Sequence, residues 1–126
     1  MKPSTREWVE KAESDYQLAV AISRRRKHVF PDQQSFLCQQ SAEKYLKARL
    51  EEAGVLPPKT HDLKRLLTLL APMEPLWSAL SAACASLSDF AVEFRYPGDK
   101  ATLKQAKEAL RDAKSIRQQV RQGLGL

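Results

Sequence analysis

Apolar side chains recur every three or four positions along almost the whole chain, and nowhere do they alternate with polar ones at the period of two that a strand requires. The first run carries Trp8, Ala12, Ala19 and Ile22 and gives out at the basic stretch "SRRRKH". It predicts a helix from Thr5 to Arg25, opened by a capping box of Ser4 and Glu7. A loop with Pro31 and Asp32 leads into "QQSFLCQQSAEKYLKARLEEAG", where Phe36, Ala42, Leu46, Leu50 and Ala53 share one face and Gly54 supplies a C-terminal cap. "VLPPK" reads as an extended connector, because each proline restricts the residue before it. Thr60 is then placed to cap a short helix over "HDLKRLLTLL", with Asp62 favourable in its first turn. Pro72 and Pro75 bracket the next start, after which Leu76, Leu80, Ala83, Leu87, Phe90 and Phe94 step down one side to Tyr96. The last helix is expected from about Lys100 to Gln122, with Ala106, Ala109, Leu110, Ala113, Ile116 and Val120 inward. The expected architecture is all-α, an up-and-down bundle of four long helices and one short one.

A chain of 126 residues with 43% hydrophobic and 29% charged residues is expected to form one domain, residues 1–126, with a core that needs no disulfide or metal. No apolar run reaches the ~20 residues that cross a bilayer, and "MKPSTREWVEK" lacks the apolar centre of a signal peptide, so a cytoplasmic protein with no membrane partner is expected. Cys38 and Cys84 both fall in periodic apolar text, which reads as core packing, and no zinc-like spacing is present.

Polar residues on apolar faces carry the candidate chemistry. Asp15 sits within the stripe of the first helix, while Gln39 and Glu43 fall between Ala42, Leu46 and Leu50, with Lys47 at the edge. A buried carboxylate needs donors or cations, and Lys47, His61, Arg95 and the Tyr96 hydroxyl are available. Either these groups form a closed interhelical network that fixes register, or they line a polar pocket for a small ligand or nucleotide. Asp15 and Glu43 could serve as an acid and base, although no nucleophile is marked. His61 follows the expected cap and is read as a surface residue or a site residue, and His28 lies in the basic loop.

The net charge of +6 points weakly toward anionic partners. Lys104, Lys107, Arg111 and Lys114 step by three or four down the last helix and extend to Lys100 and Arg121 as a ridge of one sign. With Arg24, Arg25, Arg26 and Lys27 they are expected to form either a solvated face or a nucleic-acid or anion face. No aromatic residue interleaves the lysines, which disfavours base stacking.

Three stretches together, "WVEKAESDYQLA", "FLCQQSAEKYLKARLEEAGVLPPKTHDLKRLL" and "FRYP" before a last amphipathic helix, resemble the HEPN domain of prokaryotes over nearly the whole chain. The central run, with Gln39, Gln40, Glu43, Lys44 and Lys47 followed by Thr60, His61 and Asp62, is its most specific part. The resemblance implies a five-helix bundle, usually homodimeric, often encoded beside a minimal nucleotidyltransferase with which it forms a toxin and antitoxin pair. Relatives also resemble the helical substrate-binding domain of kanamycin nucleotidyltransferase, and a role in nucleotide binding is implied. Many members are metal-independent ribonucleases that use an arginine, four to six intervening residues and a histidine. Here Arg95 is followed at positions 100 to 102 by Lys, Ala and Thr, and no arginine stands at the matching distance before His28 or His61. The resemblance therefore implies a non-catalytic, dimeric partner of a nucleotidyltransferase, needing no cofactor, with Asp15, Gln39, Gln40, Glu43, Lys44, Lys47, Thr60, His61, Asp62, Arg95 and Tyr96 as ligand-binding candidates. The alternatives are a ribonuclease with an unconventional site built on Arg95, Tyr96 and His61, or a basic RNA-binding helical dimer.

Overall fold

Proline, whose missing N–H is no loss in the first turn of a helix, starts three of the helical segments. The computed structural model describes residues 1–91 and 96–126. Helix α1 is Pro3–Ser23, α2 is Pro31–Glu52, α3 is Leu63–Leu70, α4 is Ser81–Ser88 and α5 is Leu103–Gly123. Two 3-10 segments, Pro75–Leu80 and Asp89–Ala91, flank α4, so Pro75 to Ala91 is one continuous helical stretch of mixed type. No strand occurs among the described residues, and the all-α helical bundle expected from the apolar period is what the chain forms.

The ends of the helices differ from the expected ones for local reasons. The cap of α1 is Lys2, with Pro3 in the first turn and no side-chain cap, so Ser4 and Glu7 form no capping box. The first turn is held instead by Glu52 of α2, whose Oε1 accepts from the Lys2 backbone N–H at 3.1 Å and the Thr5 hydroxyl at 3.0 Å. At the start of α3 the cap is Asp62 rather than Thr60. Asp62 Oδ1 accepts from the N–H groups of Lys64 (3.1 Å) and Arg65 (3.4 Å), while Thr60 accepts from the Asp62 N–H at 3.1 Å, one step upstream. Helix α5 starts at Leu103 rather than Lys100, because Thr102 and Gln105 form a reciprocal capping box. Gly54 does close α2 as the sequence predicts. At φ +78° it lets its own N–H reach Glu51 O and the Val55 N–H reach Leu50 O, both at 3.0 Å, a conformation that strains any residue with a Cβ.

Helix α2 is the centre of the bundle. It buries twelve of its 22 residues over most of its circumference, leaving the side of Gln33, Leu37, Gln40 and Lys44 partly or wholly exposed, so a single narrow apolar stripe does not describe it. Helix α1 packs on one side of it and α5 on another, with α3 and α4 completing the cover. Ser41 donates to Ala12 O at 2.9 Å and Gln34 to Ala106 O at 3.0 Å, tying the central helix to α1 and α5 through backbone carbonyls. Phe36, expected inward, is exposed, and so is Leu76; Trp77 beside it is buried instead. Gly123 lies so close to Trp77 that a Cβ there would stand 2.8 Å from ring atom Cζ2, which is why the end of α5 carries no side chain at that point. Val9 and Tyr16 are buried on α1, where Trp8 and Ile22 are only half-buried. Cys38 and Cys84 are free and buried, and burial pushes both thiols up to about 12.

Candidate functional site

Among the described residues, several inward polar residues of α2 gather around Glu43. Its Oε2 accepts from Lys47 Nζ at 3.0 Å, and its Oε1 takes the Gln39 amide at 3.2 Å and His61 Nδ1–H at 2.8 Å. The side chains of Glu43 and Lys47 are 6% and 8% exposed, whereas that of His61 is 55% exposed. Gln39 also reaches His61 O at 3.2 Å and accepts from Gln40 at 2.7 Å, and the Lys47 ammonium lies 5.8 Å from the centroid of the Trp8 ring. The helical spacing of Gln39, Glu43 and Lys47 puts all three on the face toward the segment that precedes α3, and the Asp62 cap fixes where His61 meets them. A desolvated carboxylate with three donors is satisfied, so this is a cluster that sets the register of α2 against the loop before α3.

Asp15 does not join that cluster. It pairs with Lys44 at 2.6 Å, and no hydrogen bond or ion pair among the described residues links the two carboxylates that were candidates for an acid and base pair. Thr60 and Asp62 are engaged in capping, and the Tyr96 side chain is exposed. Arg95 lies outside the described residues. Of the predicted ligand-binding set, the structure therefore gathers Gln39, Gln40, Glu43, Lys47 and His61, and leaves Asp15 with Lys44 as a separate pair.

A second polar assembly is invisible in the sequence pattern. Glu13 on α1 receives both Nε and Nη2 of Arg117 on α5, at 2.7 and 2.8 Å, and also the Tyr45 hydroxyl of α2. Arg121 donates to that hydroxyl at 3.3 Å, and the Arg117 guanidinium stacks 4.8 Å from the centroid of Tyr16. Burial alone pushes the Glu13 carboxyl up, but hydrogen bonds from Arg117, Tyr45 and Gln17 and the charge of Arg117 outweigh it and hold the carboxyl at about 2. Burial and the bond to Glu13 push the Tyr45 phenol up to about 12. Since 104 residues separate Glu13 from Arg117, no local pattern could pair them.

Away from this clamp, α1 and α5 leave between them a groove of about 750 Å³. Arg24, Arg25 and Arg26 line it from the end of α1, and Lys107, Arg111 and Lys114 from the first half of α5. The two basic runs of the sequence thus meet in space, although Lys104 and Lys27 are not among the lining residues. Among the described residues, none that lines it is acidic. The loop after α1 is held in place: Arg25 Nε donates to His28 O at 3.1 Å and its guanidinium stacks 5.4 Å from the centroid of Phe30. Six cations with no acidic residue among the described lining make this groove an anion-attracting feature.

Among the described residues, no cluster of histidine, cysteine, aspartate and glutamate could hold a metal ion, and no helix is long and apolar enough to cross a membrane. The family model of the HEPN domain matches residues 5–123. No curated protein matches the chain. The crystal structure of TT1696 from Thermus thermophilus is similar in fold, with a TM-score of 0.84 at 24% identity over 97% of this chain and 99% of that one.

Proposed function

The chain belongs to the HEPN domain family, and from that premise we propose that it acts as a non-catalytic HEPN module, a homodimer that binds a minimal nucleotidyltransferase in a toxin and antitoxin type of pair and contributes to nucleotide or substrate binding there. The observation that supports the non-catalytic part of this reading is the pairing of Glu43. The carboxylate best placed to act as a base already accepts from Lys47, Gln39 and His61, so its chemistry is spent on holding α2 and the start of α3 together. His61 in turn has Nδ1 committed to Glu43, and no arginine stands at ribonuclease spacing before it. A protein whose Glu43 is engaged by its own side chains and whose groove is lined by six cations is suited to binding rather than turnover.

Co-expression with a minimal nucleotidyltransferase, followed by size-exclusion chromatography with light scattering, tests the proposal. The expected result is a stable complex containing two copies of this chain, with RNA left intact by the purified protein. A monomer that forms no such complex would overturn it, as would RNA cleavage that disappears in Arg95→Ala. A basic RNA-binding dimer is the competing reading, favoured by the charge of the groove; oligoribonucleotide binding that falls steeply with salt would mark it.

A further inference from the structure

The groove between α1 and α5 has two chemistries, and only one of them is electrostatic. Beside the six cations its described lining includes aliphatic side chains: Val20 and Ile22 from α1, Val29 from the loop, and Leu103 and Leu110 from α5. Leu103 is more than half exposed at the first position of α5, and Val29 is exposed as well. Aliphatic side chains set among cations of one sign are the complement of a segment with an apolar stripe and acidic flanks.

We infer that this groove docks an acidic amphipathic helix presented by a partner protein. The inference deepens the partner-binding reading above and rests on it only in taking the partner to be a protein. The charge favours such an occupant over a second copy of this chain, whose own net charge of +6 repels it. The aliphatic lining favours it over RNA. Single strands are held largely by bases stacked on aromatic planes. Among the described residues the one aromatic side chain in the lining, Tyr16, is buried and has Arg117 stacked on it. Aliphatic side chains offer bases neither stacking nor hydrogen bonds, but they bury leucine and valine of a visiting helix well. The length fits too. The lining runs along α5 from Leu103 to Lys114, roughly 16 Å or three helical turns. Beyond Lys114 the Glu13–Arg117 clamp joins α1 to α5. A visiting helix would lie as a further ridge between two helices of the bundle, a helix-in-groove mode of recognition.

The test uses a designed helical peptide of about 16 residues, with leucine on one face and glutamate flanking it, a scrambled peptide of the same composition, and a single-stranded oligoribonucleotide of similar charge. Fluorescence anisotropy on the intact protein should show saturable binding of the amphipathic peptide, at least about tenfold tighter than the scrambled one. Arg111→Glu should weaken it by about tenfold or more, and Leu103→Ser by about fivefold while leaving oligoribonucleotide binding unchanged. Equal binding of the two peptides, insensitivity to Leu103→Ser, or an oligoribonucleotide that binds tighter and displaces the peptide would each overturn the inference. Both substitutions lie at exposed positions, and an unchanged melting temperature confirms that the fold is retained. Peptide binding by a protein that forms no complex with a nucleotidyltransferase would remove the function proposed above and leave the groove standing. A nucleotidyltransferase complex undiminished by Arg111→Glu would do the reverse.

Discussion

The Glu43 cluster and the α1–α5 groove use the same kinds of side chain to opposite ends. In the cluster, Lys47 is buried and its charge is met at 3.0 Å by a carboxylate with two further donors. In the groove, six cations stand with no acidic residue among the described lining residues. The first arrangement converts charge into register, since the desolvated pair tolerates only one way of setting α2 against the start of α3. The second keeps its charge exposed, at little cost in stability, and available to an anionic partner. A lysine is therefore uninformative about function until its surroundings are known. Lys47 is a buried ion-pair partner, whereas Lys107 lines the groove.

The contrast can be broken most severely from the buried side. Lys47→Ala leaves the nearly buried Glu43 without its lysine and should destabilise the protein by about 3 kcal/mol, read as a lowered denaturation midpoint. If the loss were only a few tenths of a kcal/mol, the cluster would not be the register device described. The Glu13–Arg117 clamp is a middle case, about three-quarters buried on both sides. The folded carboxyl lies at about 2, below its ordinary 4.5, so its contribution is fully present above pH 4.5 and is lost as pH falls toward 2. Solvent screening at its partly exposed edge reduces that contribution to about 2 kcal/mol. Glu13→Gln should therefore be less stable than the parent at pH 7, with the gap closing steadily between pH 4.5 and 2 in parallel denaturant titrations. The smallest effect is expected in the groove, where Arg111→Ala should change stability by no more than about 0.5 kcal/mol in either direction. A large loss there would mean that Arg111 serves the fold and not a partner.

Much of this was legible along the chain. The period of three to four residues located every helix, because burial of one stripe is the main stabilisation a helix gains in a bundle. The positions of Gln39, Glu43 and Lys47 showed that charge turns inward on α2, and Cys38 and Cys84 read correctly as core. The period could not tell how many neighbours a helix has. Helix α2 has neighbours on most sides, so many of its polar positions are buried along with the apolar ones, while Phe36, apolar and periodic, ends up exposed. Proline also misled: Pro3 and Pro31 open helices that were expected to begin later, since a proline before a periodic run serves equally as loop or first turn.

What the sequence by itself determined is what depends on neighbours along the chain. Those are the all-helical period, the Gly54 turn that needs a residue without a Cβ, and the inward placement of Glu43 and Lys47. What only the tertiary structure decided is what depends on how helices are rotated against one another. That includes the separation of Asp15 from Glu43, the clamp between Glu13 and Arg117, and the meeting of the Arg24 to Arg26 run with Lys107, Arg111 and Lys114 around one groove. Helical periodicity fixes which side chains share a face, but the partner of that face is chosen by close packing among helices far apart in the chain.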